Sequence, residues 1–407
     1  MNPTLPVSLA ALALLALSGM PSTLAAPRPL AEGVEVPVPP KLTFGMSTAL
    51  SGPAANLGIA MRDGVLAAFK RQNHAGGIAG RSLELMALDD GYEPTRTVPN
   101  VRRLLEEQVL AIVGNVGTPT AIAAIPLTTQ AKTAFFGAFT GAGILRKTPP
   151  DRYVINYRAS YAQETAAMVD GLIHFAGLKP DEIGFFTQRD GYGDAGFRGG
   201  VQALIRHGLT NESSIPHGRY ERNTSVVEGG LAEILSTDKI PKAIILVGTY
   251  EPCARFIRVA KDVGFEPKFL NVSFVGATSL AKNLGSYGEG VIVTQIVPHF
   301  RSDLPIVRDY AADMKRLNPK WVPDFGSLEG YIAGRILCRA LVEGQSETPS
   351  AEWVVQCLEK LGKFDIGVGV ELELSKKVHQ ASSNVWPTII TEGKVKPLDW
   401  KALTPRR

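Results

Sequence analysis

Apolar residues along the chain recur with two different periods, and the alternation of these periods predicts an α/β fold. Short apolar runs, typical of buried strands, are separated by longer segments in which apolar side chains recur every three to four positions, as in amphipathic helices. The helix predicted over 57–72 places Leu57, Met61, Val65 and Phe69 on one face. Short connections between the two kinds of segment favour a parallel sheet covered by helices on both faces.

Two series of this kind follow each other along the chain. The first series has predicted strands at 42–46, 82–88, 111–113 and 133–136, with helices at 57–72, at 95–108 and from Pro119. The second has predicted strands at 183–187, 214–220, 243–247, 268–271 and 291–297, with helices at 163–176, 194–207, 226–235 and 252–263. Two similar series predict two similar Rossmann-like lobes.

The remaining chain carries helices at 304–317, 326–343 and 351–361, then a strand at 369–374 and a hairpin at 385–397. Helices without intervening strands cannot form a third sheet, so we expect them to complete the first lobe. The chain must then cross between the lobes more than once, which predicts a multi-strand hinge and a cleft that can close. The expected lobes are residues 41–157 with 297–381, and 158–296 with 382–407.

The first residues resemble a secretory signal peptide. Pro6–Leu17 is almost entirely apolar, and Thr23-Leu24-Ala25 has the small-x-small pattern that precedes a cleavage site, here after Ala25. The apolar run is shorter than the ~20 residues that span a bilayer. We therefore expect residues 1–25 to be removed and the protein to be exported to the periplasm.

Composition narrows the classes of function. The chain is 45% hydrophobic and 20% charged with a net charge of +4, and no basic block accompanies that charge, so nucleic acid is not an expected partner. The three cysteines have no CxxC spacing, and no histidine cluster has metal-ligand spacing, so no metal is expected. Cys338 and Cys357 lie on consecutive predicted helices, which leaves both a disulfide and two free thiols open.

The stretch from Ala111 to Gly143 contains two loops that suit a small anion. Thr118 precedes Pro119 as an N-cap would, and a helix starting there presents free N–H groups at the carboxyl end of a strand. The loop after the next strand, from Gly137 to Gly141, adds the hydroxyl of Thr140. Main-chain donors and two hydroxyls predict a carboxylate site, although ordinary strand-to-helix turns would have the same sequence.

Candidate contacts from the second lobe are Tyr161, Glu164, Tyr192 and Tyr250, at or just after predicted strand ends. Tyrosine offers an apolar face and a polar tip, which suits an amphiphilic ligand. The GxGxxG motif from Gly191 to Gly196 keeps a NAD-dependent enzyme as a remote alternative. Polar residues separate that motif from its strand, and no GxSxG or HExxH motif is present, so we expect no enzyme, catalytic residue or cofactor.

Several segments resemble the substrate-binding proteins of branched-chain amino acid ABC importers, a type I periplasmic binding protein family with two lobes. These segments are LTFGMSTALSGPAANLG, MRDGVLAAFKRQNHAGGIAGRSLELMALDDGYEP, VGNVGTPT, FGAFTGAGILR, RYVINYRASYAQET, RDGYGDAGF, LVGTYEPCARFIRVAKDVGF and LNVSFVG. The resemblance implies that Asn115, Gly117, Thr118, Ala138 and Thr140 surround the ligand's carboxylate. It also implies that Tyr192 and Tyr250 line the cleft.

The resemblance fails at one position that concerns specificity. Family members that bind amino acids pair the ligand's ammonium with an acidic residue after a late strand of the second lobe, but the matching stretch Asn271–Gly276 has no carboxylate. Either Glu164 or Glu251 takes over this role, or the ligand has no amine.

The resemblance implies a monomeric periplasmic receptor that delivers a branched-chain amino acid or a related small amphiphilic carboxylate to a membrane permease. A receptor that senses an aromatic or aliphatic carboxylic acid remains an alternative, because it would use the same cleft.

Overall fold

The structure, a computed structural model, describes residues 41–405. The predicted signal peptide lies outside the described residues. Within 41–405, no helix is both long and apolar enough to cross a membrane.

The first series of elements alternates as predicted. Its strands and helices are β1 (Leu42–Thr48), α1 (Ala55–His74), β2 (Leu83–Asp89), α2 (Pro94–Glu106), β3 (Ala111–Val113), α3 (Thr118–Gln130), β4 (Ala134–Phe136) and β5 (Val154–Ile155). The five strands form one parallel sheet in the order β2-β1-β3-β4-β5. Because α/β sheets of this kind bind ligands beyond the carboxyl ends of their strands, the loops after β3 and β4 lie where a site is expected.

The second series builds a separate sheet. Its elements are α4 (Tyr161–His174), β6 (Ile183–Gln188), α5 (Gly191–Arg206), β7 (His217–Tyr220), α6 (Glu228–Leu235), β8 (Ala243–Val247), α7 (Tyr250–Asp262), β9 (Lys268–Asn271), α8 (Ala277–Leu284) and β10 (Ile292–Gln295). The last part of the chain contains α9 (Pro305–Leu317), α10 (Phe325–Glu343), α11 (Ala351–Lys360), β11 (Gly362–Phe364), β12 (Leu372–Leu374), β13 (Trp386–Thr391) and β14 (Lys394–Pro397).

Strands β6 to β10 are parallel, and the terminal hairpin β13–β14 joins them antiparallel beside β10, in the order β14-β13-β10-β9-β8-β6-β7. Strands β11 and β12 pair only with each other. The predicted α/β fold with two Rossmann-like, mainly parallel sheets is confirmed. Helix α8 was not predicted, because its eight residues carry no side-chain cap at their start.

Helices α9 and α10 complete the first lobe by packing on α1. The contact with α10 depends on glycine, since a Cβ on Gly64 would lie 2.1 Å from the Ser327 carbonyl oxygen and one on Gly330 would lie 2.2 Å from the Met61 carbonyl oxygen. The two helix backbones therefore touch directly, and no larger side chain fits between them at these points.

Three segments connect the two sheets and lie side by side. They are residues 156–160 after β5, 296–304 after β10 and 375–385 after β12. The Ala381 N–H donates to the Asn156 carbonyl at 2.9 Å, and the Tyr157 hydroxyl donates to the Ile296 carbonyl at 3.2 Å. The predicted hinge of several crossing segments is confirmed.

The three cysteines are buried free thiols, so of the two alternatives left open for Cys338 and Cys357 the structure has the free thiols. Cys338 lies on α10 and Cys357 on α11, both among core side chains. Burial raises the pKa of Cys338 to about 12 and that of Cys357 to about 11, which keeps both protonated at neutral pH.

The contact between α1 and α10 can be tested by adding a single methyl group. We expect Gly330→Ala to lower the free energy of unfolding by about 1–3 kcal/mol, because the new Cβ must push the two backbones apart. Urea unfolding followed by circular dichroism measures this change. Gly229→Ala is the control: Gly229 is exposed in helix α6 with no atom within 4 Å of a new Cβ, so stability should stay equal or rise. An unchanged midpoint for Gly330→Ala would contradict the close helix contact.

Candidate functional site

The loops after β3 and β4 continue side by side beyond their strands. The Phe139 N–H donates to the Asn115 carbonyl at 2.7 Å, and the Gly117 N–H donates to the Phe139 carbonyl at 3.2 Å. These two bonds fix the loops against each other, so groups on both are held at one place beyond the carboxyl edge of the sheet.

A pair of threonine hydroxyls lies where these loops meet. The Oγ1 atoms of Thr118 and Thr140 are 2.6 Å apart, and both residues are buried. Only one proton can lie between two hydroxyls, so the second proton is available to an acceptor in the cleft. The pair therefore offers one donor to a ligand, as a unit.

The expectation that Thr118 caps the next helix is wrong. Helix α3 begins at Thr118 itself, and its N-cap is Gly117 with φ +104°, which has no side chain to accept the first N–H groups. The positive end of the helix consequently keeps donors for a ligand instead of satisfying them with a cap.

The other residues predicted to belong to the site in these two loops hold the loops in place. The Asn115 amide donates to the Ser47 carbonyl at 2.9 Å, which ties the loop to the end of β1. Gly117 must lack a side chain, since its Cβ would lie 2.1 Å from a ring carbon of Tyr92. Ala138 is buried, and its carbonyl accepts the Thr140 N–H at 2.8 Å.

An aromatic cluster closes the cleft between the two sheets. The Tyr161 and Tyr192 ring centroids are 5.1 Å apart, and Phe274 lies 4.6 Å from Tyr192, 5.3 Å from Phe139 and 6.0 Å from Tyr92. Phe139 and Tyr92 follow strands of the first sheet, and the other three belong to elements of the second series. We call these five residues the aromatic cluster.

Two tyrosines of the cluster differ in their hydroxyl groups. The Tyr192 hydroxyl donates to the Gly248 carbonyl at 3.2 Å, whereas that of Tyr161 has no partner among residues 41–405 although it is fully buried. Burial raises the pKa of Tyr161 to about 12, so it remains a neutral donor. Its unpaired hydroxyl is a group that a ligand can satisfy.

Glu164 is bonded on both carboxylate oxygens. Its Oε2 accepts from the Ser273 N–H at 2.8 Å and from the Thr294 hydroxyl at 2.7 Å, and its Oε1 accepts from the Ser273 hydroxyl at 3.0 Å. Burial raises the pKa of Glu164, while Arg158 and these bonds act against that rise. Glu164 thus meets the stretch Asn271–Gly276 where an acidic residue was missing.

Arg158 completes this part of the site and was not selected from the sequence. Its side chain is fully buried, with Nη2 3.6 Å from Glu164 Oε1 and Nε 3.6 Å from Glu329 Oε1, and it donates to the Ser273 hydroxyl. The guanidinium carbon lies 4.8 Å from the Phe139 ring centroid. Within RYVINYRASYAQET, the sequence signal for Arg158 is its position between the uncharged residues 153–157 and 159–163.

The remaining second-lobe candidates, Tyr250 and Glu251, do not belong to the aromatic cluster. Tyr250 begins α7 and lies beside Gly276, with 7% of its surface exposed, and it stacks on no ring of the aromatic cluster in the described structure. Glu251 is exposed on the same helix. Of the two acids considered for an ammonium, only Glu164 lies at the site.

The glycines of the GxGxxG motif allow helix α5 to pack closely against its neighbours. Asp190 caps α5 by accepting the Tyr192 N–H at 2.9 Å, so the helix begins inside the motif, three residues before its predicted start. A Cβ on Gly193 would lie 1.9 Å from the Gln188 carbonyl oxygen, and one on Gly196 would lie 2.6 Å from Val247. These glycines let α5 approach the sheet closely.

One side-chain cluster corrects the expectation of no metal-ligand grouping. Asp170 and His174 lie one turn apart on α4, and His207 follows α5, with one ligand atom of each within 4.8 Å of the others. His207 Nε2 is 2.6 Å from Asp170 Oδ1, so a hydrogen bond already joins two of the three. Packing of α4 on α5 brings the third residue in, which sequence spacing does not show.

An open cavity of about 540 Å³ lies next to the threonine pair, bordered by Thr118, Gly141 and Arg146 from one side and Gly191 and Arg198 from the other. Its lining includes Thr118 but no residue of the aromatic cluster.

Comparisons with known proteins agree with this geometry. A family described as "Periplasmic binding protein" matches residues 41–394. A possible leucine/isoleucine/valine-binding protein from Rhodopirellula baltica is 56% identical and superposes with a TM-score of 0.88 over 91% of this chain and 99% of that one.

Two curated relatives are more distant. The leucine-, isoleucine-, valine-, threonine- and alanine-binding protein of Pseudomonas aeruginosa is 22% identical over 62% of this chain, and the Leu/Ile/Val-binding protein of Escherichia coli is 26% identical over 61%. The matches span 66% and 65% of those relatives' own length. Together with two α/β lobes, a hinge of several segments and a cleft between the sheets, they show that this chain belongs to the periplasmic binding protein family, in its type I two-lobed form.

Proposed function

We propose that this chain is the periplasmic substrate-binding component of an ABC importer and binds a branched-chain amino acid or a related small amphiphilic carboxylate. The observation that carries the proposal is the buried pair of Thr118 and Thr140 hydroxyls at the uncapped start of α3. Such donors suit a carboxylate, and the aromatic cluster beside them suits an apolar side chain. The proposed role is binding without catalysis.

The lobes are proposed to consist of residues 41–157 with 297–381 and of residues 158–296 with 382–407. In this division the first lobe supplies the threonine pair, and the second supplies Tyr161, Glu164 and Tyr192. The ligand binds the first lobe, and closure of the hinge brings the second lobe onto it. Export by a signal peptide at residues 1–25, action as a monomer and delivery to a membrane permease belong to the same proposal.

Contacts at the rim support closure as the working motion. The Arg222 Nη2 atom lies 2.8 Å from Glu93 Oε2, and the Asn223 amide donates to Glu93 Oε1 at 2.6 Å. Glu93 precedes α2 on the first sheet, whereas Arg222 and Asn223 follow β7 on the second. We expect these bonds between elements of the two sheets to break when the cleft opens.

The threonine pair predicts a non-additive loss of affinity. We expect Thr118→Val and Thr140→Val each to weaken binding by about 1–3 kcal/mol, roughly 10- to 100-fold in Kd, because either change removes the donor to a charged carboxylate. The double variant should cost less than the sum, since one shared proton is lost only once. Titration calorimetry with leucine and with 4-methylpentanoate, which share a carboxylate and an isobutyl group, measures both effects.

Thr128→Val provides the control for the threonine pair. Thr128 lies on the same helix, and its hydroxyl donates to the Ile125 carbonyl at 3.1 Å away from the cleft. Affinity should match that of the wild type. If both single variants in the cleft also retain wild-type affinity, the carboxylate site is elsewhere and the proposal fails.

The rim contact predicts a smaller loss. We expect Glu93→Ala to raise Kd roughly fivefold, about 1 kcal/mol, because partly exposed ion pairs contribute about that much and this one stabilises only the closed form. Calorimetry with the same two acids measures the change.

Glu343→Ala is the matched control for the rim. It removes a partly exposed pair at 2.8 Å with Arg339 inside the single helix α10, so it should leave affinity unchanged. Equal affinities for Glu93→Ala and the wild type would show that the rim does not take part in closure.

A further inference from the structure

Glu164, one of the two carboxylates beside Arg158, already accepts hydrogen bonds on both of its oxygens. Glu164 accepts three hydrogen bonds, two from Ser273 and one from Thr294, and its Oε1 lies 3.6 Å from the Arg158 Nη2 atom. A carboxylate has about four lone-pair sites, so these three bonds leave one, on Oε1, and that oxygen faces the Arg158 guanidinium. A ligand's ammonium at Glu164 would therefore have to lie next to a cation.

Donors at the same place lack acceptors. Arg158 is fully buried; its Nε faces Glu329 Oε1 at 3.6 Å, beyond hydrogen-bond length, and its Nη1 has no hydrogen-bond partner within residues 41–405. The Tyr161 hydroxyl, on a ring 5.8 Å from the Arg158 guanidinium carbon, has none either. Buried polar groups are almost always paired, so two donors without any acceptor at one point of the cleft, Arg158 Nη1 and the Tyr161 hydroxyl, indicate a missing acceptor.

The unpaired donors lie beside the proposed carboxylate site. The guanidinium of Arg158 covers the ring of Phe139, the residue directly before Thr140, and the Tyr161 N–H donates to the Gly141 carbonyl at 2.8 Å, directly after it. The main chain around Thr140 therefore connects the carboxylate donors to the unpaired donors. A group on the ligand carbon next to the carboxylate would reach them.

We infer that Arg158 is a specificity-determining residue that receives a hydrogen-bond acceptor on the carbon next to the ligand's carboxylate, so that the preferred ligand is a 2-oxo acid with an apolar side chain. The inference rests on the proposed function and names its ligand class more closely. A carbonyl oxygen can accept a hydrogen bond from Arg158. An ammonium at that carbon would instead place further donors and a second positive charge beside the donors and the positive charge of Arg158.

Three compounds with one carbon skeleton test the inference on the unmodified protein. Leucine, 4-methylpentanoate and 4-methyl-2-oxopentanoate carry an ammonium, no group and a carbonyl oxygen at the same carbon. After unfolding and refolding to remove carried-over ligand, titration calorimetry should give a Kd for the 2-oxo acid at least tenfold below those of the other two.

The outcomes separate the inference from the proposed function. If leucine binds as tightly as the 2-oxo acid or more tightly, the role of Arg158 is refuted and the carboxylate-binding function stands. If 4-methylpentanoate equals the 2-oxo acid, no acceptor is recognised and the inference is also refuted. If none of the three binds, the proposed function fails with it.

Arg158→Gln tests the residue itself. We expect the affinity for the 2-oxo acid to fall at least tenfold and the affinity for leucine to rise, because Glu164 then lacks its cation and can pair with the ammonium. Arg335→Gln is the control, since it removes a half-buried guanidinium 2.9 Å from Asp309 on the outer side of α10, and should leave the order of ligands unchanged.

Arg158→Lys gives a second variant should the glutamine form fail to fold. It keeps the positive charge but replaces the forked donors by one ammonium, so the 2-oxo acid should remain preferred with a smaller ratio over leucine. An unchanged ratio in this folded variant would refute recognition by the guanidinium.

Discussion

Burial of a positive charge in the hinge is the constraint on which the cleft depends. Arg158 lies in the first segment that connects the two sheets, between Glu329 on α10 and Glu164 on α4, at 3.6 Å from each. A buried ion without a partner is strongly destabilising, so the three groups must stay together. Burial raises the pKa of Glu329 to about 7 and lowers that of nearby Arg146 to about 9. At neutral pH both arginines therefore stay protonated while Glu329 is about half ionised, and elements carrying both sheets are tied to the same point.

The proposed carboxylate site would bind an anion with neutral groups. A lysine between Thr118 and Thr140 would add a further buried cation next to Arg158, whereas hydroxyls and the start of α3 stabilise an anion through dipoles. The hydroxyl pair is held rigidly because Asn115 ties its loop to β1 and Gly117 fits against Tyr92. Rigid donors lose little freedom when the ligand binds, which favours affinity without extra contacts.

The sequence predicts those parts of the structure that depend on local patterns of residues. Alternating apolar periods indicate the strands and helices, and small residues after β3 and β4 indicate an anion site. The contacts made by Arg158, Glu164 and Phe274 could not be predicted, because Ser273 lies 109 positions from Glu164 and only folding brings them together. In the sequence, Phe274 cannot be told from any other buried hydrophobic residue. The approach of His207 to Asp170 depends on how α5 packs on α4. Such pairings depend on tertiary distance, to which residue spacing gives no access.

Without a ligand, the contacts at the rim favour closure of the cleft, whereas the unpaired groups at its centre oppose closure. The pair of Glu93 and Arg222 is partly exposed, and pairs of that kind contribute about 0–1 kcal/mol. At the centre, each unpaired buried donor on Arg158 or Tyr161 costs about 1–3 kcal/mol. Closure without a ligand therefore loses more free energy at the centre of the cleft than the ion pair at the rim contributes. A ligand that supplies the missing acceptor removes the cost, so the same atoms that select the ligand also make closure depend on it.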